Sequence, residues 1–158
     1  MRRDGAGMTE DLLVYEGIVA TFQVASEAVK QALASFDITP AQFGLLRRVA
    51  EDEVVSLTEL ARRLGCSNAN MTRLVENAVK AGLVEKVQHP SDQRVAPIRL
   101  TDQGVLTRKR AAVAYAGAVS RFVGELGEEE RGAFLALQSR LGSPTSLAMT
   151  RRARDLPE

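Results

Sequence analysis

Ser56-Leu57-Thr58-Glu59-Leu60-Ala61-Arg62-Arg63-Leu64-Gly65-Cys66-Ser67-Asn68-Ala69-Asn70-Met71-Thr72-Arg73-Leu74-Val75-Glu76 predicts two helices around a tight turn. Ser56 and Glu59 have capping-box spacing, the hydroxyl taking the Glu59 amide and the carboxylate reaching back. Val55 and Leu60 stand where a hydrophobic staple would close over that cap. Leu57, Leu60, Ala61 and Leu64 share one face, and Gly65 ends the helix, because glycine accepts the left-handed conformation at a helix stop. Ser67 caps a second helix from Asn68 to Ala81, and Gly82 stops it. Its inner face is Met71, Leu74, Val75 and Ala78 at helical spacing. The opposite face, Ala69, Asn70, Thr72, Arg73 and Glu76, holds no large apolar residue. Short, hydrogen-bonding and cationic side chains suit a helix that enters a groove and touches base edges. Two helices joined by a glycine-containing turn form a helix-turn-helix.

Two β-rich runs follow, Leu83 to Gln88 and Val95 to Leu100, joined by the polar turn His89-Pro90-Ser91-Asp92-Gln93-Arg94. A hairpin after the second helix makes a wing. Pro97 lacks an amide, so it must stand where the ladder needs no bond from it, or at a bulge.

Leu60-Ala61-Arg62-Arg63-Leu64-Gly65, Ser67 to Gly82-Leu83-Val84, Asp92-Gln93-Arg94 and Leu100-Thr101-Asp102-Gln103-Gly104 together resemble the MarR (multiple antibiotic resistance regulator) family of bacterial transcription factors. The Asp-x-Arg wing followed by Leu-Thr-x-x-Gly is the most specific part of the resemblance. It implies a mainly α fold with a small antiparallel β wing, and a homodimer built from helices at both chain ends. It further implies a repressor released from DNA by a small lipophilic or aromatic effector. That effector would bind near the junction of helices one, two and five, where Phe22, Phe43 and Arg47 are candidate lining residues. Each of these three is equally well read as core or solvated surface.

Asn68, Asn70, Thr72 and Arg73 are the candidate groove-facing residues, since Arg pairs with guanine edges and Asn with adenine. Ser67 is expected to cap the helix and meet a phosphate. Arg94 is the wing-tip candidate for the minor groove, and the resemblance implies that Asp92 holds it in place. Lys86 and Arg99 stand on the wing strands, either meeting phosphates or simply solvated. Cys66 precedes the second helix, whose N-terminus favours a thiolate. A small buried structural residue is the simpler expectation for it.

The net charge of +1 over 158 residues does not by itself announce a nucleic-acid binder, so local pattern has to carry that inference. A single Cys and a single His exclude a Cys/His zinc site and an internal disulfide, in keeping with a reducing cytoplasm. No cofactor is expected, and no grouping of nucleophile, base or phosphate-binding glycines suggests an enzyme. No apolar run approaching the roughly 20 residues of a membrane span stands out. Met1 to Gly7 has two arginines but no hydrophobic segment after them, unlike a signal peptide.

Along the chain, Thr9 is expected to cap a first helix whose stripe is Leu12, Tyr15, Val19, Phe22, Ser26, Val29, Leu33 and Phe36. Thr39-Pro40-Ala41-Gln42 starts a second, with Phe43, Leu46, Val49 and Ala50 inward. Val54-Val55 offers a short third strand to the wing. Thr101 caps a long helix with Val105, Leu106, Ala112, Val113, Ala116, Val119, Phe122, Val123 and Leu126 on its apolar side, weakened by Gly104 and Gly117. Glu128-Glu129-Glu130 opens a last helix with Phe134, Leu137 and Leu141 inward, ended by Ser143-Pro144.

The whole is one MarR-type domain: dimerisation helices at 9–37 and 102–142, a winged helix-turn-helix at 40–101, and flexible ends at 1–8 and 143–158. The function expected is sequence-specific binding of double-stranded DNA as a ligand-responsive homodimeric repressor, without membrane association. Two-fold symmetry would set its recognition helices about 34–36 Å apart on a pseudo-palindrome. The alternatives are a winged-helix protein-interaction module and a thiol-based redox regulator acting through Cys66.

Overall fold

Thr39 shows how closely local chemistry sets the frame. Its hydroxyl accepts from the Gln42 amide at 3.2 Å, and the Gln42 side-chain oxygen accepts from the Thr39 amide at 2.8 Å. With Pro40 in the first turn, this capping box starts helix α2, Pro40–Leu46. The computed structural model describes residues 4–87 and 97–141. The other elements are α1 (Asp4–Ala34), α3 (Leu57–Leu64), α4 (Asn68–Lys80), β1 (Val84–Lys86), β2 (Ile98–Leu100), α5 (Asp102–Gly124) and α6 (Glu128–Leu141). The expected order holds throughout.

Ser56 caps α3 by accepting from the Glu59 amide, and Val55 and Leu60 are both buried beside it. The other half of the predicted capping box is redirected. The Glu59 carboxylate turns to Arg62 (2.7 Å) and Arg63 (2.8 Å). Gly65 ends α3 at φ 65°, and Gly82 follows α4 at φ 68°. Met71, Val75 and Ala78 are fully buried, as their spacing predicts.

The sheet is antiparallel, with Val84 opposite Leu100, Glu85 opposite Arg99 and Lys86 opposite Ile98. The expected third strand is a single bridge. Val55 and Ile98 exchange both backbone hydrogen bonds at 2.9 Å, so β2 is the middle strand there. Pro97 stands just before β2, where its carbonyl accepts from Val87 at 2.8 Å. The residue without an amide thus sits where the described ladder stops, as its chemistry requires. Asp92, Arg94 and His89 of the wing turn lie outside the described residues, as does Ser143-Pro144.

Residues up to Val119 form one compact unit and those from Ser120 a second. The first unit holds a contiguous aliphatic core: Leu33 from α1, Leu45 and Leu46 from α2, Leu60, Met71, Val75, Val84 and Ile98. Glu53 and Glu59 bracket Arg63 at 2.7 and 2.8 Å, and Arg63 donates to the Arg48 carbonyl at 2.8 Å. Arg48 returns a bond to the Arg63 carbonyl at 3.1 Å, so α3 is tied to the segment after α2 in both directions. Glu51 pairs with Arg108 and Lys109 of α5. These carboxylates are attachments within the fold.

Several expectations change. α1 begins at Asp4 rather than at a Thr9 cap, because no proline blocks the earlier residues and helix propagation adds a bond for each one. Within Thr9–Ala34 an 18-residue window averages a hydropathy of 1.3, apolar and long enough by composition to cross a membrane. Glu16, Glu27 and Lys30 interrupt the segment, so it holds no unbroken apolar run of that length. On α2 and just after it, Leu45 is buried and Ala50 exposed. The helix stops at Leu46, so its period does not carry on to Ala50.

The largest change concerns α5, which is continuous through Gly104 and Gly117. Its buried residues are Gly104, Thr107, Ala111 and Ala118, while Leu106 and Val113 stay exposed. Close packing on the wing and core admits only small side chains there. A Cβ on Gly104 would lie 1.9 Å from the Leu83 carbonyl oxygen. On α6, Phe134, Leu137 and Leu141 are exposed rather than inward, and no residue of that helix is buried. In α1 only the C-terminal end of the stripe is packed: Leu12, Tyr15 and Phe22 are exposed, whereas Leu33 is buried.

Two outcomes follow from this packing. Gly104→Ala forces backbone against backbone and should lower stability by about 1–3 kcal/mol or more; a melting temperature equal to the parent's would refute the close approach. Hydrogen bonds from Arg62 and Arg63 hold the Glu59 carboxyl at about 2, below its ordinary 4.5. A depressed carboxyl stabilises the fold fully above its unfolded value and loses that contribution as pH falls through its folded one. Melting temperature should therefore drop more steeply in the parent than in Glu59→Gln between pH 4.5 and about 2. Parallel curves would show that the pair contributes nothing.

Candidate nucleic-acid interface

α4 is built to present one face. Met71, Val75 and Ala78 anchor it in the core. The 3.6-residue period then turns Ala69, Arg73 and Glu76 outward, with Thr72 and Asn70 at the two margins and Asn68 in the first turn. All of these are exposed, as is the cap Ser67. Thirteen residues at about 1.5 Å each give a rod of roughly 20 Å, and the major groove admits such a helix.

Each polar group on this face has a defined capacity. Ser67 Oγ accepts from the Asn70 amide at 3.3 Å, which leaves its own proton for an outside acceptor such as a phosphate. Thr72 donates its hydroxyl to the Asn68 carbonyl at 2.9 Å and keeps its lone pairs. Asn68 and Asn70 are both exposed, which leaves their side-chain amides accessible. Arg62, Arg63, Arg99 and Arg108 each pair with a carboxylate. Arg73 has no such partner among the described residues, so its guanidinium carries a charge and five donors toward solvent. The structure therefore brings Ser67, Asn68, Asn70, Thr72 and Arg73 onto one surface. Arg99 meets Glu85 directly across the strands at 2.6 Å, with both side chains largely exposed. Cys66 is half-buried against the core.

The three residues considered for an effector separate. Phe43 is 2% exposed and Phe22 70%. Phe43 instead meets Tyr115 of α5, with ring centroids 5.2 Å apart and planes tilted by 43°. The Arg47 guanidinium lies 5.0 Å from the Tyr115 centroid and 5.7 Å from that of Phe43. Attraction between the cation and the two ring faces holds it there. Sequence reasoning missed Tyr115. The signal was available, since Tyr115 lies one helical step from Ala111 on the small-residue side of α5. A polar cleft of about 490 Å³ lies elsewhere, lined by Glu51, Asp52, Val54, Glu85, Arg99, Leu100, Thr101 and Asp102. Its carboxylates do not suit a lipophilic acid.

Residues 38–96 match the MarR family. The chain is 31% identical over 116 residues to YhbI of Bacillus subtilis (strain 168), an uncharacterized HTH-type transcriptional regulator; the match spans 69% of this chain and 75% of that protein. It is 22% identical over 111 residues to the HTH-type transcriptional repressor MdtR of the same organism, spanning 70% and 72% of the two chains. The fold superposes on a MarR-like transcription regulator from Bacillus cereus ATCC 10987 with a TM-score of 0.76 and 26% identity, covering 85% of this chain and 96% of that one. A mutant of MarR from E. coli, solved in complex with operator DNA, gives a TM-score of 0.74 at 22% identity, covering 84% and 95%, a likeness of fold alone. With its helix-turn-helix, its paired wing strands and these relatives taken together, the chain belongs to the MarR family of HTH-type transcriptional regulators.

Proposed function

We propose that this protein is a cytoplasmic, homodimeric repressor that binds a pseudo-palindromic operator by inserting α4 into the major groove. The observation that carries this is the exposed face of α4. It is free of large apolar residues, and its one arginine lacks a carboxylate partner among the described residues. In this reading Arg73, Asn68, Asn70 and Thr72 meet base edges and Ser67 a phosphate. Arg94, positioned by Asp92, adds minor-groove affinity. Two relatives support it by their own descriptions: MdtR is a repressor, and E. coli MarR was solved on operator DNA.

The homodimer is supported by what a single chain leaves uncovered. α1 exposes Leu12, Leu13, Tyr15, Ile18 and Phe22, and α6 exposes Phe134, Leu135, Leu137 and Leu141. Apolar faces of that extent mark surfaces that a partner covers. A second copy of the same helices also accounts for the apolar composition of Thr9–Ala34 without a bilayer. The effector in this reading is a small aromatic acid. Arg47, held over Phe43 and Tyr115, supplies a guanidinium for its carboxylate, while Phe22 serves the dimer face instead.

Two measurements test the proposal. Affinity for the DNA flanking the protein's own gene should fall steeply as salt rises, through counterion release. Arg73→Ala should lose about 1–3 kcal/mol, concentrated at one position of the site. Equal weakening on every sequence would assign Arg73 to a phosphate, and salt-independent or absent binding would favour a protein-interaction module. In sedimentation, the parent should be a dimer at micromolar concentration, and joint replacement of Val19 and Phe22 by Asp should abolish dimerisation or folding. A well-folded monomer from the unmodified chain would defeat the dimer.

A further inference from the structure

Thr101 and Gly104 of the Leu-Thr-x-x-Gly segment touch no surface proposed for DNA, yet they join the elements that present it. The Thr101 hydroxyl donates to the Gly82 carbonyl at 2.6 Å and accepts from the Gly104 amide at 3.0 Å. The Thr101 amide donates to the Leu83 carbonyl at 3.2 Å. Gly82 is the left-handed residue that ends the recognition helix, and its amide and that of Leu83 return to Val79 and Ala78 of α4 at 2.9 Å. One hydroxyl therefore bridges the stop of α4 to the start of α5. Gly104 lets the two backbones meet, since a Cβ there would lie 1.9 Å from the Leu83 oxygen and 2.9 Å from its carbonyl carbon.

A second attachment lies one turn further along α5. Arg108, 19% exposed, donates to the Val49 carbonyl at 2.7 Å and to Glu51 at 2.8 Å. The start of α5 is thus held both at the end of α4 and at the segment after α2. Separate hydrogen bonds at two points along a helix oppose both its sliding and its pivoting.

We propose that Thr101 and Gly104 are positioning residues that make α4 and the first turns of α5 one rigid body, so that they set the separation and orientation of the two recognition helices in the dimer. This rests on the dimeric, DNA-binding reading above. Its prediction is specific to geometry. Loosening the joint should relax the choice of half-site spacing and leave the contacts of each half-site as they are.

The test compares the parent, Thr101→Val and Thr101→Ser as full chains. Thr101→Val keeps the shape and loses the hydroxyl, and Thr101→Ser keeps the hydroxyl. Binding is measured on duplexes carrying the parent's selected half-sites with the spacer lengthened or shortened by one base pair, a step of about 3.4 Å. The parent should lose about tenfold or more per step, the scale of one mismatched pair, and Thr101→Val about twofold or less. Thr101→Ser should restore the parent's profile.

In parallel, spin labels at Asn77→Cys in a Cys66→Ser background report the distance between the two recognition helices without DNA. Thr101→Val should broaden that distribution and Thr101→Ser should narrow it again. A uniform loss at all spacings with an unbroadened distribution would make Thr101 merely structural and overturn the proposal. So would a parent-like profile and distribution in Thr101→Val. If Thr101→Val does not fold, Arg108→Gln, which frees the second attachment, takes the same two measurements and must widen both. If the parent binds no DNA, the function proposed above fails, and the label distances alone decide the joint.

Discussion

The carbonyl oxygen of Leu83 stands where a side chain at position 104 would be. That steric fact orders much of the first unit. The recognition helix ends at Gly82, the first wing strand starts at Val84, and α5 sets out from Asp102, all within reach of this one peptide. Any residue but glycine at 104 would push α5 off the wing and break the bonds of Thr101 to Gly82 and Leu83. The small residues Ala111 and Ala118, at seven-residue intervals from Gly104, keep the same face of α5 close-packed further along.

Against this rigid base, the polar side of the molecule is economical. Four arginines are engaged with carboxylates inside the unit, which stiffens the supports of α3, the wing and α5. Arg73 is kept out of that network by its place on the far side of α4 from Met71 and Val75. The distinction between supporting and presented cations is therefore set by helical phase, not by composition. A near-neutral chain can offer a local cation for the same reason.

Most of the fold was legible because it is written in local chemistry. Ser56, Thr39 and Ser67 cap helices by hydrogen bonds to amides three residues on, and Gly65 and Gly82 stop them by conformation, so neighbours in sequence suffice. The face of α4 was legible for the same reason. What escaped notice depends on partners distant in sequence. Periodicity marks Val113 and Phe134 as apolar but does not say whether their cover is this chain or another. The buried side of α5 is lined by Gly104, Thr107 and Ala111, which carry almost no hydropathic signal. Tyr115 owes its role to Phe43, far away in sequence, and Glu59 abandoned its cap because two arginines offered stronger, charge-assisted bonds.

The bridge between Val55 and Ile98 bears on a different question, how such a chain avoids the wrong company. A sheet edge is a template on which any extended segment can zip. At Ile98 that template is already used, by Val55 on one side and the hairpin partner on the other. Among the described residues, the outer side of β1 is three residues long, with Glu85 and Lys86 charged and exposed. Short, charged edges resist strand addition. Helices α1 and α6 leave far more apolar surface than this short described sheet leaves open backbone. Association is left to helix faces, where side-chain fit rather than backbone alone selects the partner.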